Sequence, residues 1–503
     1  MIIVARTARP RPVHCVTEHE HRDRALADAV AEGRFTFGGE TRALGLEPDW
    51  VDADLPEDEE WRIDWVKFYY GLDLADAFRA TGDARYLRAW EKLVASFVLQ
   101  IPPDHDDSEV TARRILNWIY AWQRLPEVDE CVAHALHEHL GQQVRHVRAT
   151  LSPERNHRTL ELYALLIAAL ALPELGIDPP VEELYENLLA DFLPDGVHRE
   201  RSTHYHCIAL RSFVGARENC RRFGVALPAG FDERLTLACA FARDCRRPDG
   251  TLPALSDSDT GDYTELLQLA ARLLAREELL VSGAGDYPDG GYFVQRTRDR
   301  YLIFDCGPLG DGGHGHYDAL SVEAWANGEP LVLDPGRFTY AEGEPNLRHW
   351  FRGTAAHNTV TVDGFDQTPY ARGRSSLPSA VATFLGREDD TLAGEVRSPC
   401  YEAVHRRRVT LVEGRYWIVE DELEGERSHR YDLRWHLPPG PVELRPDGVV
   451  TDTATITIHG ARSVALEDGW ISPEYGVKHA AKVVSAIAVG AVARFVTVLE
   501  PRT

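Results

Sequence analysis

Four groups of side chains able to exchange protons near neutral pH stand out in the 503 residues: Asn156-His157, Tyr205 within STHYH (202–206), His314 and His316 within GDGGHGHYD (310–318), and His357-Asn358. No nucleophile elbow, phosphate-binding loop or dinucleotide fingerprint accompanies them, so the chemistry they suggest is proton transfer. Each has a plainer reading. An Asn-His pair at a helix start ordinarily caps the helix and leaves a surface histidine, and a lone tyrosine ordinarily packs with its hydroxyl bonded. The glycines flanking His314 and His316 say more, because they remove bulk and let the backbone approach a ligand or take unusual torsions. His316, Asp334 and His357 offer two imidazoles and a carboxylate near expected strand ends, a set compatible with zinc that leaves a coordination position open. Asp257 and Asp259 form a close carboxylate pair, open to a structural role or to the two-carboxylate chemistry of a glycoside hydrolase.

The elements that must position these groups fall into two kinds. From about residue 58 to 274, amphipathic helices are expected at 59–80, 84–99, 108–124, 129–149, 155–172, 180–190, 203–223, 231–246 and 262–275, parted by breakers such as Thr81-Gly82-Asp83 and Leu172-Pro173. Many paired helices with aromatic-rich faces suggest a helical toroid. After Gly283 the pattern becomes short alternating runs bounded by Gly, Asp and Pro, as at 291–297, 301–306, 359–363, 408–412, 416–421 and 431–437. That pattern belongs to an antiparallel sandwich. The expected organisation is an N-terminal extension at 1–57 packed on a helical toroid at 58–283, followed by an antiparallel β-sandwich at 284–503, an α+β multidomain chain.

Composition narrows the partners. Fifty-five Lys and Arg against 80 Asp and Glu give 55 − 80 = −25, which excludes a nucleic-acid-coating protein and a polybasic membrane binder. The eight cysteines form no CxxC pair and no dense framework, so reduced thiols are expected. Residues 1–15 carry only a four-residue apolar run before arginines and prolines, which reads as a cytoplasmic chain. Within this acidic chain Arg337, Arg348, Arg352, Arg372 and Arg374 concentrate positive charge, either to receive an anionic ligand or to pair with Glu342, Glu344, Asp363 and Asp366. Tyr340 and Trp350 are candidates for a ligand-facing aromatic surface, with a place in the core as the alternative.

Taken in order, the stretches ARRILNW (112–118), NHRTLE (156–161), DGVHRERSTHYH (195–206), PDGTLP (248–253), DSD (257–259), GHGHYDALS (313–321), LDPG (333–336) and FRGTAAHNTV (351–360) resemble the heparinase II/III-like polysaccharide lyases. That resemblance implies an (α/α) toroid joined to an antiparallel β-sandwich, and cleavage of uronate-containing glycans such as glycosaminoglycans or alginate by β-elimination. It further implies that Asn156 and His157 face the substrate carboxylate, that Tyr205 and His314 are catalytic, and that His316, Asp334 and His357 hold a structural zinc. Tyr340, Trp350 and Arg352 are the expected substrate contacts. A uronate C5-epimerase on the same site and a non-catalytic carbohydrate-binding protein are the alternatives.

Overall fold

The computed structural model describes residues 9–16, 23–51, 54–372 and 377–502, so Arg374 lies outside the described residues. Helices span Glu59–Lys67, Tyr70–Thr81, Ala84–Gln100, Ser108–Arg124, Glu130–Ala149, Arg155–Ala171, Val181–Asp191, Thr203–Phe223, Phe231–Cys245 and Thr264–Leu274. Aspartates start several of them: Asp58, Asp83 and Asp129 accept the N–H groups of Glu60, Arg85 and Cys131 at 3.1, 2.9 and 2.9 Å. Each supplies an acceptor to an N–H that has no partner inside its helix.

One expected helix, 59–80, is two. Phe68 between them is left-handed at φ 62°, and its buried ring meets Trp50, Phe97 and Trp118 at 5.3 to 5.4 Å. The carbonyls freed at the break are taken up by side chains, Val66 by Arg114 at 3.1 Å and Lys67 by Asn117 at 2.8 Å. Aromatic packing with side-chain capping thus overrides continuous helical periodicity. Upstream, a helix at Arg24–Ala31 and a hairpin of Arg34–Phe37 with Glu40–Ala43 precede the first expected helix. Phe35 of that hairpin lies edge-on to Trp65 and Tyr70, and Trp50 stacks on Trp65 at 4.2 Å.

Packing divides the chain into two compact units, one running to Asp191 and including Ile208–Phe231, the other formed by Phe192–Cys207 and Asp232–Thr503. The first turn of helix Thr203–Phe223, which carries Tyr205, belongs to the second unit. Among the described residues no helix is long and apolar enough to cross a membrane, and all eight cysteines are unbridged.

Strands of the second unit form two antiparallel sheets. A five-stranded sheet runs in the order Gly285–Tyr287, Tyr292–Arg296, Arg300–Asp305, Val322–Ala326, Glu329–Val332. A ten-stranded sheet is built around Tyr416–His436 and Val477–Pro501. The stretches expected as separate strands at 416–421 and 431–437 are one strand, because a register shift between Glu424 and His429 carries the ladder across a polar run that reads as a loop. Strand Val404–Val412 buries alternate residues, the period of a strand with one face inward. Leu302, Phe304 and Val322 of the smaller sheet share one core with Val409, Trp417, Leu433 and Phe495 of the larger.

A buried ion pair crosses the larger sheet. Arg407 donates through Nε and Nη2 to Asp421 at 2.7 and 3.1 Å, and His405 bonds the same carboxylate at 2.7 Å. Arg407 also donates to the carbonyls of Leu320 and Asn358, tying the sheet to two loops. Burial pushes the Asp421 carboxyl up, but Arg407 and His405 outweigh it and hold it at about 2. Arg407→Met strands that carboxylate and is expected to cost about 3–5 kcal/mol in denaturant unfolding at neutral pH. A depressed carboxyl gives stability that is present above its unfolded value and lost as pH falls through the folded one. The gap to wild type should therefore narrow between about pH 4 and pH 2.

Candidate active site and metal centre

Tyr205 sits in the first turn of helix Thr203–Phe223, which Ser202 separates from Arg201, a non-glycine residue at φ 52°. Ser202 accepts the Tyr205 N–H at 3.2 Å and lies 2.9 Å from the Ser258 hydroxyl, and Thr203 donates to the Pro253 carbonyl at 2.5 Å. The turn is thereby bound to segment 253–258, where Ser256 is a second left-handed residue, at φ 60°. Strained backbone of this kind persists where its surroundings over-determine it, as at functional sites.

The half-buried Tyr205 ring lies on the His314 imidazole, with centroids 3.9 Å apart and planes 27° off parallel. Its hydroxyl is 3.0 Å from that of Tyr340, which accepts from Arg337 at 2.6 Å. Arg337 in turn grips Asp259 through two bonds, at 2.9 and 2.6 Å. Burial and the neighbouring Tyr340 push the Tyr205 phenol well above its usual value, so it is protonated at neutral pH.

Asp257, fully buried, takes His314 Nδ1 and His316 Nε2, each at 2.9 Å, and both terminal nitrogens of Arg348. Burial raises its carboxyl, but Arg348 and the two histidines hold it well below the carboxylate range. An ionised carboxylate only accepts, so His314 donates from Nδ1, and Nε2 is the nitrogen left to accept a proton. Opposite that nitrogen, 3.6 Å away, lies Glu200 Oε2, a buried oxygen with no hydrogen-bond partner. The loop closes on Glu200 at Gly310, where a Cβ would come within 2.1 Å of the Glu200 carbonyl oxygen. Glu200 was not singled out in the sequence, because an isolated glutamate carries no signal of its own.

His316, Asp334 and His357, all buried, bring one ligand atom each within 4.8 Å of one another. Hydrogen bonds fix which nitrogens are available. His316 donates from Nε2 to Asp257, which leaves a lone pair on its Nδ1, and His357 donates from Nδ1 to Asp334 at 2.8 Å; burial lowers the His357 imidazole but Asp334 outweighs it and raises it to about 9, so its Nε2 would give up a proton on binding an ion. Those two nitrogens are buried and without partners. Burial holds the His316 imidazole down at about 4 and therefore neutral. Asp257 orients His316 from outside the group, and two buried imidazole nitrogens without partners stand with the Asp334 carboxylate, a donor set of two imidazoles and a carboxylate, so the residues fit a divalent ion.

The remaining expected residues are placed differently. Asn156, in the other unit, is 3% exposed, and its Nδ2 has no hydrogen-bond partner. It lies inside helix Arg155–Ala171 after Arg155, itself at φ 73°, while the cap position is Glu154. His157 is exposed. Trp350 is half-buried and meets Phe351 edge-on at 4.7 Å. Arg352 departs from the expected sugar contact: it is 2% exposed and donates to the carbonyls of Gly315 and Ala371 at 2.9 and 2.6 Å, holding the histidine loop. Arg337 and Arg348 are also buried and paired, but with Asp259 and Asp257 rather than the acids near them in sequence. Arg372 is exposed, 4.0 Å from Glu342.

The family model described as heparinase II/III N-terminus matches residues 12–277, and that described as heparinase II/III-like, C-terminal, matches 281–498. A heparin-sulfate lyase of Bacteroides stercoris is 24% identical over 466 residues, covering 79% of this chain and 67% of that protein. One of Pedobacter heparinus is 22% identical over 473 residues, covering 85% and 69%. Of solved structures, that of heparinase III superposes with a TM-score of 0.83 at 19% identity, over 99% of this chain and 87% of that one. With its helical N-terminal region, its antiparallel C-terminal sheets and both family models matched, the chain belongs to the heparinase II/III-like family of polysaccharide lyases.

Proposed function

We propose that this polysaccharide lyase cleaves a uronate-containing glycan of the glycosaminoglycan class by β-elimination, leaving a 4,5-unsaturated uronate end. The observation that carries the reading is the stacked pair of a protonated phenol, Tyr205, and an imidazole, His314, held through Nδ1 by Asp257. The C5 proton of a uronate is weakly acidic because the adjacent carboxylate is already charged. Stabilising the enolate-like anion is therefore the main task, and Asn156 supplies an amide donor for that carboxylate, with His157 beside it in the chain. His314 Nε2 takes the C5 proton. Tyr205, held protonated, gives its proton to the departing glycosidic oxygen. Tyr340 keeps the phenol oriented, and Trp350 offers an aromatic face to a sugar ring.

His316, Asp334 and His357 would hold a zinc ion, which supplies structure by fixing the histidine loop. Their two buried nitrogens without partners support this. His316→Ala is expected to lose bound zinc, read by elemental mass spectrometry, and about 3 kcal/mol of stability, the contribution of a ligand held near a hundredfold above its dissociation constant. Full metal content in that variant would remove His316 from the ligand set.

Incubation with heparan sulfate, chondroitin sulfate, hyaluronan and alginate, following the ultraviolet absorbance of the conjugated uronate, tests the function. The expected result is a rise on a glycosaminoglycan. Exchange of the C5 hydrogen for solvent deuterium without any absorbance would replace elimination by epimerisation.

A further inference from the structure

We propose that Asp257 is a positioning residue that hangs His314 on the metal cluster, so that filling the site formed by His316, Asp334 and His357 orients a ring outside the ligand set. For the catalytic task of His314 this rests on the elimination reading; the coupling itself does not.

The Asp257 carboxylate accepts from four donors. Oδ1 takes His316 Nε2 at 2.9 Å and one Arg348 nitrogen; Oδ2 takes His314 Nδ1 at 2.9 Å and the other Arg348 nitrogen at 2.8 Å. The bidentate arginine sets the carboxylate plane, and that plane sets the line along which each imidazole must lie. Asp257 is completely buried, so no water replaces a lost donor cheaply. His316 therefore has one nitrogen on Asp257 and the other buried without a partner, and its ring centroid lies 5.2 Å from that of His357.

With no ion, His316 Nδ1 and His357 Nε2 are two buried nitrogens without partners, a state that rotation of either ring relieves. Rotation of His316 withdraws its proton from Oδ1. His314, about a fifth exposed on its side chain, then loses the rigid anchor behind its Nδ1 hydrogen bond and keeps the stack on Tyr205. A plain buried ion pair of Arg348 and Asp257 would not transmit the state of the cluster in this way.

The test labels His314 with diethylpyrocarbonate in the full chain, stripped with a chelator or reloaded with zinc, and reads the labelling rate by peptide mass spectrometry. His349, half-exposed and bonded to Asp366, is the internal reference. Stripping should raise the His314 rate several-fold relative to His349. Asp257→Asn should reach the same rate with zinc bound, and stripping should add nothing further, because the two perturbations act on one link. His357→Ala, which removes a ligand not bonded to Asp257, should match the stripped wild type and carries the test if Asp257→Asn does not fold. On a cleaved glycan, kcat should fall in each case with KM little changed. An unchanged rate on stripping, additive effects, or a chain that takes up no zinc would overturn the proposal. A labelling response without elimination on any glycan would uphold the coupling and overturn the reaction assigned to His314.

Discussion

Tyr205→Phe is expected to lower kcat by about 10²–10⁴-fold, the usual worth of a positioned general acid or base, with KM and folding close to wild type. The substitution removes one oxygen. That oxygen bonds Tyr340 at 3.0 Å, and Tyr340 keeps its second partner, Arg337, when it goes. The ring still stacks on His314, so the packing of the site is preserved. What disappears is the proton. A glycosidic oxygen is a poor leaving group as an alkoxide, and the Tyr205 phenol, pushed well above its usual value by burial, carries a proton throughout the neutral range. Initial rates from uronate absorbance, with a thermal melt beside them, check this. Unchanged turnover in a folded variant would take the acid role from Tyr205.

Much of this arrangement was legible in the chain, for definite reasons. Helix positions follow from apolar periodicity and from aspartates such as Asp83 and Asp129, both of which act locally. The break at Phe68 does not, because it is decided by Trp50, Phe97 and Trp118 and by side chains of Arg114 and Asn117 about fifty residues away. The long strand Tyr416–His436 was hidden by a polar run whose pairing depends on a neighbouring strand. At the site, glycines marked the His314 loop and the resemblance supplied its companions. The partners of the charges were out of reach. Arg348 lies near Glu342 and Glu344 in sequence, yet it grips Asp257, 91 residues away.

That result also settles how the carboxylate pair is used. Asp257 is spent on two histidines and Arg348, and Asp259 on Arg337. Neither is an unpaired group flanking a bond, the arrangement that two-carboxylate hydrolysis requires.

For Asn156 stability and activity should move in opposite directions. Asn156→Leu keeps the volume and removes an amide whose Nδ2 is buried without a partner. A donor left unsatisfied in the folded state costs about 1–3 kcal/mol, so the apolar replacement should be neutral or stabilising in denaturant unfolding. The same donor, if it serves the substrate carboxylate, strengthens its bond as charge develops on the enolate-like anion. Its loss should cost about 10²–10³-fold in kcat, the measured scale for one donor of an anion hole. A capping residue would behave otherwise, because removal of a cap destabilises the helix and leaves chemistry alone. The cap position here is Glu154, and Asn156 follows the left-handed Arg155 inside the first turn, where strain holds an idle donor in place. A less stable variant with full turnover would make Asn156 structural and return the carboxylate to another donor.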